Sequence, residues 1–92
     1  MKTKKGFVLR SLGREFILVA EGLEAADANR LISMNESAAF LWKAVEGKEF
    51  DTRTLADLLV EEYDITHEVA ERDVTKLIQT WQDAGVIEER RI

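Results

Sequence analysis

The residues of this chain whose types could carry out chemistry are few, and each can be held against what a reaction requires. His67 is the single histidine, with Asp64 shortly before it and Glu71 one helical turn after. A histidine beside carboxylates could serve as an acid/base pair. No nucleophile, second ligand or glycine-rich phosphate loop stands nearby, so these residues read as a solvated helix start with acids near the positive end of its dipole. Glu61-Glu62 and Glu88-Glu89 read as charge pairs on exposed faces. Ser33 and Ser37 have no base at a recognisable spacing, and no dinucleotide-binding or P-loop motif occurs. The absence of cysteine excludes a disulfide scaffold, a thiolate zinc site, an iron–sulfur ligand set and a cysteine nucleophile. The expectation is a protein without catalysis, metal or cofactor.

Nucleic-acid chemistry is the next test, and charge decides it. The chain has 92 residues with formal net charge −5. Residues 1–34 carry six Lys/Arg against four Asp/Glu, whereas residues 35–92 carry seven against fourteen. A phosphate backbone needs cations on the reading element. The last helical stretch offers Arg72 and Lys76 against Glu68, Glu71, Asp73 and Asp83. Lys2, Lys4, Lys5, Arg10 and Arg14 could touch a backbone but supply no base readout. A winged-helix nucleic-acid-binding or transcription-regulator domain therefore stands as the alternative reading only.

Composition sets the frame for what remains. A chain of this length with 46% hydrophobic and 34% charged residues fits one small folded domain spanning 1–92. No apolar run approaches the ~18–20 residues of a membrane span, and the Lys2–Lys5 start leads into no signal-peptide apolar region. The expected compartment is the cytoplasm.

The elements follow from periodicity and punctuation. Gly6–Arg10 and Glu15–Ala20 are apolar runs around a Gly13-containing turn and read as a hairpin. Residues 21–29 read as a longer connection, and Arg30–Met34 as a third short strand. Asn35 can cap a first helix carrying Ala38, Leu41, Trp42 and Val45, while Ser33 and Glu36 offer a competing capping box. Asp51 can cap a second helix striped by Leu55, Leu58, Leu59 and Tyr63, with Phe50 as a hydrophobic staple. Thr66 caps a third helix striped by Ala70, Val74, Leu77, Ile78 and Trp81, ended by Gly85 in a Schellman turn, after which Val86 and Ile87 pack back. Trp42, Trp81, Phe7, Phe16 and Phe40 read as core. The order predicts an α+β, winged helix-turn-helix-like fold: a three-stranded antiparallel sheet followed by three helices covering one face.

One feature of such a fold is chemical without being catalytic. The strand Arg30–Met34 comes last in the sheet and carries one charge, no proline and no glycine. An exposed edge of that kind accepts another strand unless guarded. With the long third helix beside it, the edge would form a groove for peptide capture by strand addition. Coverage of the edge by residues 21–29, or by a second copy of the chain, is the open alternative.

The chain resembles the family of the pyrroloquinoline quinone (PQQ) synthesis protein D, the PqqD-like proteins or RiPP recognition elements. The resemblance runs from Gly6 to about Glu88. It is carried by Gly6–Arg10, Phe16–Val19, Ile32–Trp42, Leu55–Asp64, and the spacing of Asp73, Val74, Leu77, Ile78, Trp81, Ala84, Gly85, Val86 and Ile87. Ala20-Glu21-Gly22 stands where PQQ-pathway members carry a Pro-Glu pair, and Val45-Glu46-Gly47 where they carry a "cDG" segment. The chain thus reads as PqqD-like without assignment to PQQ biosynthesis. The resemblance implies a non-catalytic chaperone for precursor peptides. It would bind the leader segment of a ribosomally made precursor and present the rest to a modifying enzyme, often a radical SAM protein. It further implies that the leader adds beside the third strand and packs on the third helix. Carried onto this sequence, the peptide-binding residues are Arg30, Leu31, Ile32, Ser33 and Met34 on the strand, with Arg72, Asp73, Lys76, Leu77 and Thr80 on the helix.

Overall fold

The computed structural model describes residues 1–20 and 31–88. The connection read at 21–29 and the expected strand residue Arg30 lie outside them. The elements are β1 (Lys2–Thr3), β2 (Phe7–Leu12), β3 (Glu15–Ala20), β4 (Leu31–Met34), α1 (Glu36–Val45), α2 (Thr52–Glu62), α3 (His67–Ala84) and β5 (Ile87–Glu88). The expected architecture is present: an antiparallel sheet in the order β2-β3-β4, followed by three helices.

The β2–β3 hairpin is tighter than its sequence suggests. Ser11 and Leu12 belong to the strand, and Leu12 pairs with Glu15 across a two-residue loop. Gly13 takes φ +64° while Arg14 keeps a negative φ. This sign pattern matches a II′ turn, whose twist suits a two-residue hairpin.

Strand pleating sorts the side chains. Leu9, Leu18 and Ile32 are cross-strand partners, as are Phe16 and Met34. With Phe7 they share the face that joins the core, where Leu18 and Met34 are buried. The helices cover that face. The Lys43 ammonium lies 5.4 Å from the centre of the Phe16 ring, a cation–π contact that ties α1 to β3.

Each helix begins where its capping residue predicts. The Asn35 side-chain oxygen accepts from the Ala38 N–H at 2.8 Å, so Asn35 prevails over the Ser33 capping box. Asp51 accepts from the Thr54 N–H and Thr66 from the Val69 N–H. Phe50 and Leu55, both buried, occupy the two positions of a hydrophobic staple around the Asp51 cap. At the end of α3, Gly85 sits in the left-handed region at φ 75°. Its N–H reaches the Gln82 carbonyl, and the Val86 N–H reaches that of Trp81. This is the bonding pattern of a Schellman turn.

Two short strands were not expected from periodicity. β1 pairs antiparallel with β5, matching Lys2 to Glu88 and Thr3 to Ile87. Thr3 is buried and its hydroxyl accepts from the Gly47 N–H at 3.0 Å. The Lys4 N–H donates to the Val86 carbonyl, and the Phe50 N–H to the Met1 carbonyl. The chain's first residues are thereby held between the α1–α2 connection and the strand that follows α3.

Candidate functional site

The sheet has an open side at β4. Among the described residues, no strand pairs with the side of Leu31–Met34 away from β3. Neighbouring residues of an antiparallel strand turn their backbone groups to opposite sides, so half of the β4 amides and carbonyls face that open side. Ile32 is half-buried on the helix-covered face, Met34 is buried there, and Ser33 is exposed on the other face.

The Met34 end of β4 runs into a groove of about 580 Å³. One wall is the start of α1, where Asn35, Ser37, Ala38 and Leu41 line it. The opposite wall is α3, contributing Asp73, Lys76, Leu77 and Thr80. Those four lie at the i, i+3, i+4 and i+7 positions of one helical face. Leu59, Tyr63 and Ile65 close the groove from α2 and the connection to α3. Ala38, Leu41 and Leu59 are buried, Tyr63, Ile65 and Leu77 half-buried, and Asp73, Lys76 and Thr80 exposed. An apolar interior with a charged rim suits a guest with apolar side chains and a polar backbone.

The polar groups of the groove have defined bonding states. The Asn35 oxygen accepts from both the Ala38 N–H and, at 3.0 Å, the Ser37 hydroxyl. This fixes which end of its amide is oxygen and leaves the two N–H donors without a partner among the described residues. The Thr80 hydroxyl donates to the Lys76 carbonyl at 3.0 Å. Asp73 and Lys76 join no ion pair among the described residues. The Tyr63 ring meets Phe40 edge to face, with centroids 6.2 Å apart. Desolvation by its surroundings raises the Tyr63 phenol pKa, and the Glu36 and Glu62 carboxylates add to the effect.

Of the strand residues named from sequence, Ile32, Ser33 and Met34 lie on the open strand, Leu31 contributes backbone paired with Val19, and Arg30 falls outside the described residues. On α3, Asp73, Lys76, Leu77 and Thr80 come together, whereas Arg72 is exposed and does not line the groove. The contributions of α1, α2 and the α2–α3 connection were missed. In the sequence Leu59 and Tyr63 read as core stripe, because an apolar stripe has the same spacing whether the protein or a guest covers it.

His67 pairs with Asp57 across the α2–α3 interface at 3.2 Å, not with Asp64 or Glu71, and both partners are exposed. Among the described residues no cluster of three or more His, Asp or Glu could hold a metal ion. No described helix is long and apolar enough to cross a membrane.

A family model described as coenzyme PQQ synthesis protein D (PqqD) matches residues 9–87. Two solved structures share the fold. One, described as TbiB1 in complex with the TbiA(beta) leader peptide, is 17% identical, with a TM-score of 0.75 over 100% of both chains. The other, a lasso peptide synthetase B1 complexed with the leader peptide, is 16% identical, with a TM-score of 0.72 over 96% of each chain. No curated protein matches the chain.

Proposed function

The chain belongs to the coenzyme PQQ synthesis protein D family, and from that premise we propose that it is a non-catalytic recognition domain for the leader segment of a ribosomally made precursor peptide. The leader adds as a strand to the open side of β4 and seats alternate side chains in the groove between α1 and α3. The observation that carries this reading is the adjacency of two features: a strand side unpaired among the described residues, and an apolar groove lined by Asn35, the residue that follows that strand. Backbone hydrogen bonds along the strand supply sequence-independent affinity, and the groove supplies selectivity. The leader complexes of the two structural neighbours support the same use of this fold.

The residues assigned to the peptide are Leu31, Ile32, Ser33 and Met34 through their backbone, and Asp73, Lys76, Leu77 and Thr80 from α3. Arg30 is assigned with them from the family resemblance alone, and Arg72, on the exposed flank of α3, steers acidic leader residues during approach. The bound precursor is presented to a modifying enzyme, a radical SAM protein being the first to examine. The whole chain acts as one peptide-binding domain in the cytoplasm.

The test is amide chemical-shift mapping with synthetic leader peptides taken from any short precursor frames that neighbour the gene of this chain. Shifts in residues 31–38 and 73–80 are expected at saturation. Saturating shifts confined to β2 and the outer face of α2 would overturn the site.

A further inference from the structure

The groove also carries information about the peptide it takes, and this inference rests on the reading above. Ile32 and Met34 lie on the helix-covered face of the sheet. A strand added beside β4 continues the pleat, so its residues opposite Ile32 and Met34 face the same side and those between face away. On that side the groove wall is apolar, formed by Leu41, Leu59, Ile65 and Leu77.

At Tyr63 the chemistry changes. Tyr63 lines the groove and meets Phe40 edge to face; Glu36 stands one turn before Phe40 on the same face of α1, and Glu62 directly precedes Tyr63 in the chain. Both glutamates are exposed, and neither joins an ion pair among the described residues. Asp73 is the carboxylate that lines the groove itself, against the single ammonium of Lys76.

We propose that the groove selects leader segments in which apolar residues alternate with polar ones and a lysine or arginine flanks them, seated against Tyr63 between Glu36 and Glu62. The long alkyl stem of such a residue lies along the apolar wall while its charged head reaches the carboxylates and the phenol oxygen. An aspartate or glutamate at that position faces like charge. Tyr63 is then a specificity-determining residue of the site.

The experiment pans a phage-displayed library of random twelve-residue peptides on the full chain, followed by calorimetry with a synthetic peptide from the enriched set. Enriched peptides are expected to show apolar residues at i and i+2 with a basic residue at one fixed offset. Glu36→Gln and Glu62→Gln should each weaken that peptide by about two- to fivefold, the range of partly exposed ion pairs. Glu68→Gln, on the first turn of α3 outside the groove, should leave it unchanged. Replacing the peptide's basic residue by glutamine should abolish the difference between wild type and the Glu36→Gln and Glu62→Gln variants. Tyr63→Phe keeps the ring and its contact with Phe40, and should reduce the basic preference without lowering the melting temperature. Enriched peptides that alternate but show no basic preference, or an acidic one, overturn this inference and leave the leader-binding reading standing. No enrichment over a bare surface overturns both.

Discussion

The Trp42 and Trp81 rings meet edge to face, with centroids 5.3 Å apart and planes at 89°. Both are essentially inaccessible, and Phe50 makes a second edge contact with Trp81 at 6.4 Å. This cluster fastens α1 to α3, the two helices that supply facing walls of the groove. Truncation leaves a large cavity that the surrounding helices cannot close. Trp81→Ala is therefore expected to lower unfolding free energy by about 3–5 kcal/mol. Urea denaturation followed by circular dichroism checks this, and a loss below about 1 kcal/mol would show that the ring is not a core anchor.

Acid should weaken the start of α2 through one identifiable group. The Asp51 carboxylate pKa is lowered from its ordinary 3.8, chiefly by hydrogen bonds from the Thr54 N–H and hydroxyl. A carboxyl depressed in the folded state contributes stability above its unfolded pKa and loses it as pH falls through the folded value. Asp51→Asn keeps a capping oxygen but removes the titration. Urea midpoints measured from pH 6 to about pH 2 should fall less steeply for Asp51→Asn than for wild type. Parallel slopes would remove Asp51 from the acid response.

Much of this fold is legible because backbone demands are local. Asn35, Asp51, Thr66 and Gly85 mark helix ends that their side chains or φ values physically require. The β1–β5 pair was not legible: two-residue strands have no period, and the pairing of Thr3 with Ile87 depends on the whole chain having folded between them. The α3 wall could be reached from resemblance and helical spacing, which put Asp73, Lys76, Leu77 and Thr80 on one face. The facing wall could not. From sequence Asn35 reads only as a cap, and Leu59 and Tyr63 only as core, because the distance between α1 and α3 is a tertiary quantity.

Asn35 joins the two roles, and substitutions can separate them. Asn35→Ala removes the cap of α1 and should cost about 0.5–2 kcal/mol. Asn35→Asp retains the capping oxygen and places a favourable charge at the helix start, but loses the two N–H donors at the groove mouth. Thermal melting should separate alanine from aspartate, while peptide affinity should fall for both. Unchanged affinity in Asn35→Asp would remove the side-chain amide from recognition.

Proline scanning of β4 gives the sharpest test of strand addition. In the antiparallel β3–β4 ladder, Leu18 faces Ile32 and Ile17 faces Ser33. Consecutive residues alternate between bonding inward to β3 and presenting their N–H outward. Exactly one of Ile32 and Ser33 therefore directs its N–H to the open side. Proline at the inward position removes a ladder bond and should lower stability, whereas proline at the outward position should be tolerated in the fold, as on other edge strands. The tolerated variant lacks one donor for the incoming leader, so its affinity should fall by about two- to tenfold, the worth of one net hydrogen bond. Melting curves identify which variant is which, and calorimetry with the leader reads the loss. If the well-folded variant binds as tightly as wild type, the peptide does not pair with β4.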